Sequence, residues 1–182
     1  MKFNIIVAFS KNNGIGINNT LPWHIQSDLI KFRILTTGSG NNAVIMGRNT
    51  WNSLPVKYLK NRDNLILSNT IIIDNNQTNK DNKKIYNNKS FKNINEIIDY
   101  CNLQNYDTVW IIGGSQIYKE FLDNKLIIID KIYVTYIDKE FKCDTFFPNI
   151  NSIQYKIAEE CLHITNNRVD NLKIYDRIYH KI

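Results

Sequence analysis

The sequence predicts a single α/β domain, residues 1–182, built on a largely parallel sheet, and three observations carry that reading. Short apolar runs rich in Ile and Val recur along the 182 residues, with helix-length segments between them. The runs are continuous, where strict alternation would mark a sheet with one wet face. Strands buried on both faces look like this, and the β-α-β rhythm belongs to α/β architecture. At 43% hydrophobic the chain carries enough apolar side chain for one core.

The first strand is "FNIIVAF" at 3 to 9. Its apolar run is too short for a secretory leader, holds Asn4, and enters "KNNGIG" without a cleavage site. Next, "NGIGINN" at 13 to 19 has Gly14 and Gly16 but no third glycine and no immediate helix, so the dinucleotide fingerprint fails. It reads as a flexible loop that could act as a lid on the aromatic stretch after it. In "SDLIKFRILT" at 27 to 36, Ser27 is the expected helix cap and Asp28 falls in the first turn. There a negative charge favours the helix dipole by about 0.3–1 kcal/mol. Asp28, Phe32 and Leu35 sit at i, i+4 and i+7, so the carboxylate shares a face with apolar side chains. Such a carboxylate needs a partner to offset desolvation, and a ligand with amidine-like N–H groups would provide one.

The strand "NAVIMG" at 42 to 47 ends on Gly47, and "TWNSL" at 50 to 54 is a short helix with Thr50 as its expected cap. Free N–H groups at that helix start, with the forked donor of Arg48, suit a phosphate. The strand "NLILS" at 64 to 68 follows, and the Asn/Lys-rich stretch 74 to 90 reads as an exposed loop around a short strand. A helix is expected at "NINEIIDYCN", 93 to 102. Then "DTVWIIGG" at 107 to 114 runs into Gly113-Gly114 and the helix "SQIYKEFL", 115 to 122, with Ser115 in its first turn. Paired glycines there let a ligand approach the backbone. The strand "KIYVTYI" at 131 to 137 and a closing antiparallel hairpin from "YKIAEECLHI" and "NLKIYDRIYHKI" complete the chain.

Each of these turns, taken alone, is also what an ordinary tight turn or capped helix looks like. Two of them in one small domain are more telling than either one, since open α/β sheets bind ligands at the carboxyl ends of strands. The net charge of +6 fits attraction to nucleic acid or to small polyanions; the scattered Lys and Arg favour the latter. Three separated cysteines give no zinc spacing and no disulfide framework, which fits a reducing, cytoplasmic setting. No metal site is expected, and no run approaches the roughly 18 apolar residues that span a bilayer.

Taken in order, "IVAFSKNNGIGINNTLPWHIQSDLIKF", "VIMGRNTWNSLP", "NRDNLILS", "VWIIGGSQIY", "YVTYID" and "CDTFFP" resemble the dihydrofolate reductase family across nearly the whole chain. The resemblance implies a mixed, mainly parallel eight-stranded sheet flanked by four helices. It implies reduction of 7,8-dihydrofolate to tetrahydrofolate with NADPH, in support of one-carbon metabolism, by a cytoplasmic monomer that takes antifolates such as methotrexate and binds neither nucleic acid nor membrane. It makes Asp28 the acid that pairs with the pterin's 2-amino and N3 region, supported by Thr135. Ile6, Val7, Ala8, Leu29, Phe32, Leu54, Leu59 and Ile112 would line the folate pocket, and Arg62 would hold the glutamate α-carboxylate. Residues 14 to 20, among them Ile15, Gly16 and Asn19, with Leu21 and Trp23 would close over the nicotinamide. Gly47, Arg48, Asn49, Thr50 and the turn Gly113, Gly114, Ser115, Gln116, Ile117, Tyr118 would hold the cofactor, to which Ala8 and Ile112 also turn. Leu67, Ser68 and Asn69 would lie near its 2′-phosphate.

The chain departs from the family at Asn69 and Gln116, where arginine is common; Lys83, Lys84 and Lys89 are the expected substitutes. Lys31 replaces an aromatic residue and is expected to face solvent. Competing readings are a same-fold reductase of riboflavin synthesis, with no reason to keep Asp28 and Arg62 together, a non-catalytic RNA-binding domain, and a folate-binding relic.

Overall fold

The computed structural model describes residues 1–78, 85–166 and 171–182. In chain order it contains β1 (Lys2–Ser10), β2 (Gly14–Gly16), α1 (Gln26–Thr37), β3 (Asn42–Gly47), α2 (Arg48–Ser53), β4 (Asp63–Leu67), β5 (Asp74–Thr78) and β6 (Ile85–Phe91). There follow α3 (Ile94–Gln104), β7 (Thr108–Gly113), α4 (Ser115–Asp123), β8 (Ile129–Ile137), β9 (Thr145–Phe146), β10 (Tyr155–Asn166) and β11 (Asn171–Lys181). The main sheet has the order β10-β11-β8-β1-β7-β3-β4-β6-β5. Its middle, from β8 to β6, is parallel, while β5, β11 and β10 join antiparallel.

The continuous apolar runs are explained by two cores. Ile5, Val7, Phe9, Ala43, Ile45, Leu65, Val109 and Ile111 face one layer with Ile97 and Cys101 of α3 and Ile117, Tyr118 and Phe121 of α4. The alternate residues Ile6, Val44, Met46, Ile66 and Trp110 face the other, with Trp51 of α2 and, partly buried, Phe32 and Leu35 of α1. A strand covered on both sides has no wet face to favour polar side chains at alternate positions, so alternation disappears.

Four helices flank the sheet as expected, but it has nine strands, not eight. The stretch read as an exposed loop around a short strand holds two strands: β5, "DNNQT", pairs with β6, where Tyr86 and Asn88 are buried. Residues 79 to 84 of that stretch lie outside the described residues. Helix boundaries also shift. α1 begins at Gln26 behind Ile25, so Ser27 is inside the helix and no side chain caps it. α2 begins at Arg48 behind Gly47, which places Thr50 inside as well. By contrast α3 has a reciprocal cap: Asn93 accepts the Glu96 N–H at 3.0 Å, and Glu96 accepts the Lys92 N–H at 2.9 Å. No helix among the described residues is long and apolar enough to cross a membrane.

Candidate active site

Because β1, β3, β4 and β7 run parallel side by side, their carboxyl ends form one rim. Asp28 approaches that rim from the first turn of α1. Its carboxylate is 15% exposed and accepts the Thr135 hydroxyl at 2.6 Å. Thr135 stands there because β8 pairs with β1 in the register that sets it beside Ala8. Burial pushes the Asp28 carboxyl above the ordinary carboxylate range, opposed by the Thr135 hydrogen bond and the Lys31 charge.

Lys31 corrects the expectation from the sequence. It turns inward: its ammonium donates to Thr135 Oγ1 and to Asp176 Oδ1, and lies 3.9 Å from Asp28. Asp176, which the sequence offered no reason to single out, is opposite Thr135 in the β8–β11 register.

The apolar walls assemble in part as read. Ile6 with Phe32, Leu54, Leu59 and Ile112 belongs to one cluster, on the face of the sheet that α1 covers. Leu29 is 39% exposed beside it. Ala8 packs with Trp23 and Ile25. Val7 does not join them, because its side chain alternates to the other face and packs in the α3–α4 core. Its backbone alone stays near the site.

Arg62 is buried, donates to the Lys60 carbonyl at 3.0 Å and to the Thr36 hydroxyl, and lies 5.9 Å from the Phe32 ring centre. Burial, and the nearby Arg33 charge, lower its pKa to about 10. Thr36 is a second residue missed in the sequence: it lies one turn after Phe32, bonds the Phe32 carbonyl at 2.7 Å, and so fixes the guanidinium from α1.

The segment 14 to 20 is anchored at its base. Ile15 packs against the α3–α4 core. The Asn18 N–H donates to Asp144 at 2.7 Å, and the Asp144 N–H donates to the Gly16 carbonyl at 3.0 Å. The Asn18 N–H, with the Thr145 hydroxyl at 2.7 Å, holds the exposed Asp144 carboxyl below its ordinary range. Asn18 and Asn19 adopt left-handed backbone, φ 50° and 59°. Leu21 is 52% exposed, whereas Trp23 is buried edge-on against Phe141, and its indole N–H has no hydrogen-bond partner among the described residues.

At the other end of the rim, Gly47 and Gly113 end neighbouring strands and α2 and α4 start beside them. A Cβ on Gly47 would come within 3.0 Å of Ile117, and one on Gly113, at φ +98°, within 2.6 Å of the Tyr118 ring. Ile117 and Tyr118 are core residues; the Tyr118 hydroxyl donates to the Ile6 carbonyl at 2.9 Å. The Ser115 hydroxyl is engaged with the Phe146 carbonyl at 2.5 Å, and Gln116, exposed, with Glu120 at 2.9 Å. Arg48 donates to the Thr70 hydroxyl at 2.6 Å, and Ser68 lies 3.4 Å from the same oxygen. Asn49 and Asn69 are exposed, Thr50 and Leu67 half-buried. Of the lysines expected near Ser68, Lys83 and Lys84 lie outside the described residues, and Lys89 lies over the Tyr100 ring, 5.3 Å from its centre. Among the described residues, Arg48 is a cation beside Ser68, reached through the Thr70 hydroxyl. A backbone cradle at two glycines, with an arginine and hydroxyls at one end, could hold a phosphate-bearing ligand.

A family model described as dihydrofolate reductase matches residues 2–181 of this chain. Over 190 residues the chain is 35% identical to the dihydrofolate reductase of Heliothis virescens, covering 100% of this chain and 98% of that protein. It is 39% identical over 166 residues to the dihydrofolate reductase of Sus scrofa, with 87% and 85% covered. Over 157 residues it is 35% identical to that of Haemophilus influenzae, with 86% and 85% covered.

Proposed function

Because the chain belongs to the dihydrofolate reductase family, we propose that the cleft beside Asp28 seats the pterin of 7,8-dihydrofolate, with NADPH as the cofactor. The protein is an oxidoreductase, and its reaction is the reduction of dihydrofolate to tetrahydrofolate. When bound, the nicotinamide supplies hydride to C6 of the pterin; the chain's own residues position that ring and govern its proton.

The observation that carries the reading is a carboxylate only 15% exposed, one helical turn before Phe32, that accepts the Thr135 hydroxyl at 2.6 Å. Asp28 pairs with the pterin's 2-amino and N3 edge, and the buried anion favours protonation at N5 by water. Burial holds the Asp28 carboxyl above its ordinary range, opposed by Thr135 and Lys31, so activity falls toward alkaline pH. Phe32, Leu54 and Leu59 flank the ring, while Arg62, held by Thr36, binds the substrate's α-carboxylate. Ile15, Gly16, Asn19, Leu21 and Trp23 shield the nicotinamide from water. Gly47, Arg48, Asn49, Thr50 and residues 113 to 118 seat the cofactor, and Arg48 with Ser68 and Thr70 favours the phosphorylated form over NADH. The same reading makes the protein a cytoplasmic monomer and a methotrexate target.

NADPH oxidation driven by dihydrofolate, with and without methotrexate, tests it on wild type and Asp28→Asn. Wild type turns over and methotrexate stops it; the variant loses roughly 100- to 1000-fold in rate with NADPH binding unchanged. An Asn variant with near-normal turnover refutes the assignment of Asp28.

A further inference from the structure

We propose that Lys31 is a positioning residue for the reduction: its ammonium, anchored on Asp176, fills the acceptor side of the Thr135 hydroxyl, so that the hydroxyl's one proton is committed to Asp28. The inference rests on the reading of Asp28 given above and extends it to a cation that the family resemblance would replace with an aromatic ring.

A threonine hydroxyl has one proton and two acceptor lone pairs. Two carboxylates compete for the Thr135 proton, Asp28 at 2.6 Å and Asp176 at 3.5 Å. An ammonium has three protons and no acceptor. Lys31 spends one on Thr135 Oγ1 and another on Asp176 Oδ1. With Asp176 supplied by the lysine, the hydroxyl proton has one destination. The arrangement also fixes the Asp28 carboxylate's rotamer, since Oδ1 is the oxygen that receives the hydroxyl and Lys31 lies 3.9 Å from it.

Three elements are pinned together by this contact: α1 through Asp28 and Lys31, β8 through Thr135, and β11 through Asp176. The residues are 104 and 145 positions from Lys31 in sequence, so only the fold unites them. The Lys31 side chain is 27% exposed and that of Asp176 is 32% exposed, which keeps the pair partly wet and spares it the full cost of a buried ion pair.

The charged groups facing Asp28 are few. Lys31 on α1 favours its anion, and Asp176 on β11 opposes it. The Tyr118 hydroxyl of α4 is buried and bonded to Ile6. Behind Asp176, His163 of β10 approaches its other oxygen at 3.2 Å. Removing the lysine alone leaves Asp28 beside an uncompensated anion, so its proton is held to higher pH. Removing Asp176 alone leaves Asp28 as the nearest anion to the ammonium, so its proton is released at lower pH.

The test is the pH profile of single-turnover dihydrofolate reduction for wild type, Lys31→Met, Lys31→Arg and Asp176→Asn, with Asp28→Asn as reference. In Lys31→Met the alkaline limb moves up by about one pH unit; Lys31→Arg restores the wild-type limb; Asp176→Asn moves it down. The Kd for NADPH stays at the wild-type value throughout, since the cluster's hydrogen bonds join Asp28, Lys31, Thr135 and Asp176 to one another. A Lys31→Met profile that overlays wild type overturns the proposal, whatever its absolute rate. Should Lys31→Met not fold, Asp176→Asn decides, and a limb at or above the wild-type position is the overturning result. An inactive Asp28→Asn with a silent Lys31 series removes this inference alone, whereas an active Asp28→Asn removes the reading beneath it.

Discussion

Replacing Thr135 with valine takes away one hydroxyl and keeps the shape of the side chain. The residue is 3% exposed, and its oxygen donates to Asp28 at 2.6 Å while accepting from Lys31. Valine leaves a carboxylate and an ammonium facing a methyl group. A hydrogen bond to a charged group is worth about 1.5–3 kcal/mol, and each 1.4 kcal/mol is about tenfold in an equilibrium or rate. kcat/KM for dihydrofolate should therefore fall roughly 10- to 100-fold. Gly47 and Gly113 end other strands, so Kd for NADPH should hold at its wild-type value. The unpaired groups cost about 1–3 kcal/mol in stability, which lowers Tm by roughly 2–10 °C for a chain of this size. Steady-state NADPH oxidation and calorimetry on Thr135→Val and Thr135→Ser separate hydroxyl from shape. A valine variant with wild-type kcat/KM, or a serine variant as impaired as the valine one, refutes the argument.

Three further expectations follow from single observations. Burial raises the Asp28 carboxyl above its unfolded value, so ionising it in the folded protein costs stability above that raised pH, a cost that disappears as pH falls through the ordinary carboxylate range. Asp28→Asn should accordingly melt about 2–4 °C higher than wild type at neutral pH, for a gain of about 1 kcal/mol, with the gap closing in acid; an equal or lower neutral Tm contradicts the sign. Gly113→Ala places a Cβ 2.6 Å from a Tyr118 ring that its hydroxyl ties to Ile6, and does so at φ +98°. It should cost about 1–3 kcal/mol from backbone strain and weaken NADPH binding, so an unchanged Kd would count against the cradle. Finally, the Cys101 thiol is buried and pushed up to about 12, while Cys161 is exposed. Thiol titration of the native protein should modify Cys161 first and reach Cys101 only after denaturation; prompt native labelling of Cys101 is the contrary outcome.

The sequence announced the strands that serve both layers and missed β5 at the sheet edge and the short pair β2 and β9. Ile5 and Ile6, or Ile45 and Met46, are adjacent apolar residues because each neighbour faces a different core. β5 is "DNNQT", an edge strand paired on one side, and nothing in an edge position demands apolar side chains. Ser27 and Thr50 looked like caps by residue type, yet the backbone enters each helix earlier, behind Ile25 and Gly47, whose extended dihedrals mark the true boundary. In the site, Asp28 was legible because a carboxylate at helical spacing from Phe32 and Leu35 breaks a local pattern. Asp176 and Thr36 broke none. Asp176 reaches the cluster only through the β8–β11 register, and Thr36 reaches Arg62 across 26 positions. Val7, which the resemblance placed at the pocket, turns its side chain into the α3–α4 core by strand alternation.

The surroundings of Asp28 invert the ordinary rule of burial, and that inversion argues for a ligand more strongly than any one contact. Leu21 and Leu29 are 52% and 39% exposed, while the carboxylate between their segments is 15% exposed. Folding alone would favour the reverse, because exposed apolar surface forgoes about 25 cal/mol per Å² and a sunk anion resists desolvation. Within α1 Thr36 is the buried residue, and the exposed Ile30 and Ile34 lie on the helix face away from Asp28. A flat heteroaromatic ring with N–H donors on one edge resolves both halves at once, covering leucine and pairing with aspartate. Binding such a ring should therefore stabilise the native state through mass action. The rise in Tm with saturating methotrexate should be large in wild type and small in Asp28→Asn, since the variant keeps the walls but loses the anion.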